Sequence, residues 1–248
     1  MGSTHAASGA LAGVAVAAVA GGALVDLAAC GLVGAGAALL PDLDHPESTA
    51  TRSQGPASQG LSRAVRAASS AVWRATRAPG DDGGLHDGLG RHRHLTHTLP
   101  ACAAAGVVCG AAASTVPGAA VVLWVLVSLG LRGLGQCVRG QRRAALSSWL
   151  TVSLAALLVT GVVLGVAPPH PVLLGAVVAA GALVHVLGDW ATSAGVPLAW
   201  PLMVRGKRWW MFRSPLAFRA GDGAWQERVL RWACGLGAPA LCVWAMMG

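Results

Sequence analysis

Histidine and aspartate recur in this 248-residue chain in short groups whose residue types suit metal-assisted chemistry. Asp42, Asp44 and His45 lie in "LLPDLDHPES", His92, His94 and His97 in "HRHLTHTLP", and His185 and Asp189 in "HVLGDW"; His5 stands near the start. His185 and Asp189 are four residues apart and share one face of a helix. Imidazoles mixed with carboxylates are the ligand set of a divalent metal ion, with zinc favoured and manganese or iron as alternatives, rather than of a salt-bridge network. Such an ion lowers the pKa of a bound water toward about 7 and polarises a scissile group, which is the chemistry of hydrolysis.

Each group also has a plainer reading. Asp42 and Asp44 fit solvated carboxylates in a helix-ending turn. His185 fits a satisfied interior histidine, although ionisable residues near membrane depth default to function. His94 has the weakest claim of its cluster, and His86 and His170 read as ordinary loop or helix-start residues.

The elements that must position these residues follow from composition. With 54% hydrophobic and 11% charged residues, the chain reads as a membrane protein. Apolar runs of roughly 17 to 20 residues match a hydrocarbon core of about 30 Å. They predict helices over 6–22, 24–40, 99–116, 118–132, 148–166, 171–187 and 230–247. The fold class is therefore all-α, a multi-pass transmembrane helix bundle in one integral membrane domain. Seven spans are expected, or six with a re-entrant first segment, because the Ala/Gly-rich start is weakly hydrophobic and broken by Gly21, Gly22 and Asp26. A cleaved signal peptide is not expected, since 1–9 contains no Lys or Arg.

All eighteen Lys and Arg residues fall between helices two and three, between four and five, and from Arg205 to Arg231. The positive-inside rule makes these segments cytoplasmic, with the N-terminus inside a cell (plasma or inner) membrane. The net charge of +8 is thus topogenic, and no nucleic-acid partner is expected. This orientation brings the His/Asp groups of four segments to the cytoplasmic end, as a metal site in a bundle requires. Asp42, Asp44 and Asp189 would stand at helix C-termini, where the macrodipole disfavours carboxylates unless a cation offsets them. The next helix arrives by its N-terminus, with Thr98 as N-cap and Pro100 in the first turn. Its free N–H groups favour an anion beside the metal.

Within the loop 46–91, a helix over 61–77 places Leu61, Val65, Ala68 and Val72 opposite Arg63, Arg66, Arg74 and Arg77. This is the pattern of an interfacial helix on anionic lipid, or of a short helix packed on its own domain. The segment 189–229 mixes tryptophan with arginine, as at the headgroup level. Arg93 and the Arg205–Lys207–Arg208 cluster suit a phosphate group. Membrane lipid is the expected partner. The six cysteines show no C-x-x-C spacing and indicate no disulfide framework.

"THAASG", "LLPDLDHP", "HRHLTHT" and "HVLGDWATSAGVPLAWP", in this order between apolar helices, resemble the YdjM family of predicted membrane-bound metal-dependent hydrolases. "GDGAWQERV" extends the resemblance, with Glu227 at an acidic position. The resemblance implies metal-dependent hydrolysis and selects His5, Asp42, Asp44, His45, His92, Arg93, Thr96, His97, His185 and Asp189. Here His94 replaces a small residue, Thr98 a serine, and the connection from Glu47 to Arg91 is longer than usual. The expected ligand pool is Asp44, His45, His97, His185 and Asp189, with His5 and His92 as further ligands or as residues that orient them. Asp42 serves as ligand or general base, Arg93 clamps an anion, and Thr96 completes the site. A phospholipid or other phosphoester is the expected substrate. The alternatives are an ion- or proton-coupled transporter and a non-catalytic scaffold stapled by metal.

Overall fold

A computed structural model describes residues 1–81, 90–138, 140–216, 218 and 224–247. His86 and the first three residues of "GDGAWQERV" lie outside these. The described residues form helices and turns with no strands, only isolated bridges. The helices are α1 (Gly2–Val19), α2 (Leu24–Ala37), α3 (Pro56–Thr76), α4 (Leu99–Ala112), α5 (Val116–Gly135), α6 (Gln141–Ser147), α7 (Trp149–Val166), α8 (Pro171–Trp190) and α9 (Trp225–Met247).

Six of them are long and apolar enough to cross a membrane: α1, α2 with the 3-10 turn that follows it, α5, α7, α8 and α9. The doubtful first segment is a full-length helix, and the shortfall is instead at α4. That helix has 14 residues, about 21 Å at 1.5 Å per residue. It starts where Thr98 accepts from the Ala101 N–H, and chain reversal at Ser114 follows its C-terminus. Thr115 then caps α5 by accepting from Gly118.

Helices α1, α2 and α8 pack around small residues. A Cβ on Gly9 would collide with the Gly34 carbonyl, and one on Gly181 would meet Ala37 and the Gly34 carbonyl. In lipid, where burial from water no longer drives association, such close backbone approach supplies the packing. The weak hydrophobicity of the first two helices is therefore compatible with the centre of the bundle: Leu27, Val33, Leu123, Leu126, Val177 and Val178 form its buried core. By contrast α9 keeps most of its surface outward, including Trp232, Leu236 and Trp244.

The helix α3 covers one end of the bundle. Its buried seam is Ser58, Ser62, Ser69, Ser70 and Trp73, lying between the apolar and arginine sides expected from sequence. Leu61 remains 53% exposed. The Ser69 hydroxyl donates to the Gly90 carbonyl (2.6 Å) and accepts from the Leu95 N–H (3.3 Å), so the helix tethers the segment leading into α4.

Candidate metal centre

Four stretches of chain deliver polar side chains to this end of the bundle. His5 comes from the first turns of α1, Asp42 and Asp44 from the 3-10 turn Pro41–Asp44, and His92 to His97 from the segment before α4. His185 and Asp189 come from the last turns of α8. Two groups result, Asp42–Asp44–His92–His97 and His5–His185–Asp189, each with ligand atoms within 4.8 Å of one another. They adjoin, because the Nε2 atoms of His97 and His185 are 3.2 Å apart.

The outer nitrogen of each ring decides what that close approach means. His185 Nδ1 donates to the Ala38 carbonyl at 2.7 Å, which leaves its neutral Nε2 with a lone pair. The Thr96 hydroxyl donates to Asp44 Oδ2 (2.6 Å), so its oxygen accepts from His97 Nδ1 at 2.9 Å. His97 Nε2 then also presents a lone pair; both tautomers are assigned from these partners. Asp189 Oδ2 is 3.3 Å from His97 Nε2 and 3.7 Å from His185 Nε2. Three electron-rich atoms thus form a triangle with edges of 3.2, 3.3 and 3.7 Å. Donors about 2.0–2.1 Å from a tetrahedral ion stand about 3.3 Å apart. The residues fit a divalent ion.

In the metal-free protein a proton is what offsets this repulsion. Burial alone pushes the His97 imidazole down, but the Asp44 charge and hydrogen bonds with Asp189 and Asp44 hold it up at about 10.

The surrounding residues hold the donors. Asp44, fully buried, accepts from His92 Nδ1 (2.6 Å), the Arg93 backbone N–H (3.1 Å) and Thr96, and lies 3.4 Å from His97 Nδ1. Asp189 Oδ1 is 3.2 Å from the Arg93 guanidinium and 3.4 Å from His5 Nε2. The His5 ring stacks on His185 with centroids 4.0 Å apart, and a Cβ on Gly188 would crowd His5. Asp42 Oδ1 is 3.6 Å from His185 Nε2, with 23% of its side chain exposed. It faces a cavity of about 350 Å³ that His5, His45, His92, Arg93 and Asp189 also line.

Arg93 adopts φ = 54°, a left-handed conformation that costs a non-glycine residue roughly 1–2 kcal/mol. The turn sends neighbouring side chains apart: His92 to Asp44, Arg93 to Asp189 and Thr192, and His94 to Trp73 and Trp209.

Of the residues expected from sequence, seven therefore belong to the two groups: His5, Asp42, Asp44, His92, His97, His185 and Asp189. Arg93 and Thr96 contact the carboxylates. His45 stands outside the groups, with Nδ1 accepting from the Glu47 N–H (3.2 Å) and its ring 4.9 Å from His92. His94 turns away, His170 caps α8, and Glu227 lies in the first turn of α9. Two participants were not anticipated. Thr192 accepts from Arg93 Nη1 (3.0 Å) and donates to the Asp189 carbonyl (2.7 Å). Its signal was a hydroxyl three residues beyond Asp189; the Ala38 carbonyl, a backbone group, had none.

The family model described as YdjM inner membrane protein matches residues 1–247. The chain belongs to the YdjM family. That membership and the six apolar helices place it in a membrane. No curated protein and no solved structure matches it.

Proposed function

We propose that this YdjM-family protein is a metal-dependent hydrolase acting on a phosphoester at the membrane surface. The observation that supports it is the triangle of His97 Nε2, His185 Nε2 and Asp189 Oδ2, with edges of 3.2, 3.3 and 3.7 Å. Asp189 and the neighbouring Asp42 also line a cavity, and three protein donors with an open fourth position are the arrangement of catalytic rather than closed structural sites. His97, His185 and Asp189 would hold a divalent ion, zinc by preference, which would supply Lewis acidity and a water acidic enough to act as nucleophile near neutral pH.

The chain's own residues divide the remaining work. Asp42, the partly exposed carboxylate, accepts the proton of the attacking water. Arg93 presents its guanidinium to an anionic substrate while holding Asp189. Asp44, Thr96 and His92 fix the ring of His97, as carboxylate–histidine pairs do around metal ions. A transporter is disfavoured by the placement of these groups at one end of the bundle, since transporter sites lie near the midplane.

Protein purified without chelators is expected to carry about one equivalent of a divalent metal, lowered by His97→Ala and by Asp189→Asn. Asp42→Asn and Arg93→Ala should retain metal and fold, while Asp42→Asn costs roughly 10²–10⁴ in turnover. Comparison of lipid and soluble phosphoester pools in cells expressing each form gives the readout. A metal whose ligand variants unfold, with no pool altered by wild type, would make the centre a structural staple.

A further inference from the structure

A second cavity, of about 920 Å³, adjoins the candidate metal centre through His94 and Ser193, which follow His92 and Thr192 in the chain. The two share a wall. His94, whose Nδ1 donates to the His92 carbonyl (2.8 Å), faces the second cavity while His92 binds Asp44. Likewise Ser193 and Ala194 line it directly after Thr192, the partner of Arg93.

Its lining combines two chemistries. Trp73, Trp209 and Trp210 supply aromatic surface, and Arg205, Lys207 and Arg213 supply positive charge. Among the described lining residues Asp81 is the one carboxylate, and its oxygens accept backbone N–H groups of Ala78, Arg208 and Trp209 at 2.7–3.1 Å. That carboxylate therefore pins the cavity wall to the end of α3. The guanidinium of Arg205 sits 5.2 Å from the Trp210 ring centre, and Arg213 engages the Ala194 carbonyl through Nε.

The wall is also built with some strain. Val204 and Lys207 exchange two backbone hydrogen bonds, at 2.8 and 3.0 Å. The two-residue tip between them has φ = 51° at Arg205 and 78° at Gly206. Such a tip normally calls for Asn, Asp or Gly at its first position, so arginine is held there against local preference. Backbone strain of this kind concentrates where a side chain must be aimed. Leu202, Met203 and Leu216 flank the basic residues and are 69%, 56% and 70% exposed. A basic, tryptophan-lined cavity, in a stretch of chain that also exposes large apolar side chains, matches an amphiphile whose anionic head enters while its chains stay in lipid.

We propose that this cavity binds the phosphate-ester headgroup of an anionic membrane lipid, with Arg205 and Arg213 as its principal contacts. The assignment names the substrate class of the adjoining centre. It rests on the hydrolase reading for the fate of the lipid, but binding requires no metal. The test is therefore made on full-length protein stripped with chelator, delipidated in neutral detergent and offered mixed phosphatidylcholine–phosphatidylglycerol vesicles in equal amounts. Lipid retained after repurification is quantified by mass spectrometry.

Wild type is expected to retain phosphatidylglycerol in preference to phosphatidylcholine. Arg205→Ala/Arg213→Ala should lower that preference about tenfold or more, the scale expected for two lost cations. Arg63→Ala/Arg74→Ala, which removes equal charge from α3, should keep it. Thermal stabilisation of wild type by phosphatidylglycerol supplies a second measure that needs no variant. No headgroup preference in wild type, or an equal loss in the α3 variant, would overturn the proposal. Stabilisation by millimolar inorganic phosphate with none by the lipid would overturn the lipid source and leave a soluble phosphoester. Lipid binding with intact preference but no turnover after metal loading would sink the hydrolase reading alone.

Discussion

At the scale of residues, Asp44 organises the centre without lying on the ligand triangle. Its oxygens collect His92, Thr96 and the Arg93 N–H, and through Thr96 they fix the tautomer of His97. Thr96→Val should therefore weaken metal binding about 10- to 100-fold, the usual cost of losing a partner that orients a ligand. Competition with a chelating dye measures this, and Thr96→Ser should restore affinity. The raised pKa of His97, about 10, has a separate consequence. A group raised on folding contributes stability fully below its unfolded value near 6.5 and loses it as pH rises through the folded value. Metal-free protein should then melt at progressively lower temperature as pH approaches 10, while metal-loaded protein, with His97 deprotonated and bound, should not. At neutral pH metal uptake should release a proton, seen as a binding enthalpy that changes with the ionisation heat of the buffer.

At the scale of elements, the centre depends on how closely α1, α2 and α8 approach. Gly34 leaves no room for a side chain between α2 and α1, so Gly34→Val should cost about 1–3 kcal/mol or more and lower the melting temperature in detergent. Gly161 in α7 has nothing within 4 Å of its would-be Cβ. Gly161→Ala should leave stability unchanged or raise it by up to about 1 kcal/mol, the helix-propensity difference. A similar loss in both variants would remove close packing as the cause. The outward side of α3 has a different role: its serine seam already packs on the protein, so Leu61 is left for the surroundings.

At the scale of the whole molecule, the arginine-bearing connections, the 3-10 turn and the end of α8 meet at one end of the bundle. Gln136 donates to Thr49 (2.6 Å), and Arg231 donates to Ser3 (3.0 Å), tying the ends of α5 and α9 to the same layer. If the positive-inside rule governs insertion, single cysteines at positions 74 and 141 in a cysteine-free background should be labelled only from the cytoplasm. A cysteine at position 168 should be labelled only from outside. External labelling at both 74 and 141 would put the centre and its neighbouring cavity on the other face of the membrane.

The sequence alone determined the all-helical membrane architecture, because uninterrupted apolar length is a property of composition along the chain. It also singled out residues that the structure brings together: His185 and Asp189 share a face by helical spacing, and Thr98 as N-cap follows from its place before "LP". Within the pool of histidines and carboxylates it did not single out three atoms, since spacing says nothing about which atoms converge across 88 residues, as His97 and His185 do. Only tertiary structure separated the triangle of His97, His185 and Asp189 from the residues that orient it. Helix rotation and the left-handed turn at Arg93 decide which nitrogen faces which partner. The same holds for Thr192, the Ala38 carbonyl and the tryptophan-lined cavity, whose parts meet through packing between segments distant in the chain.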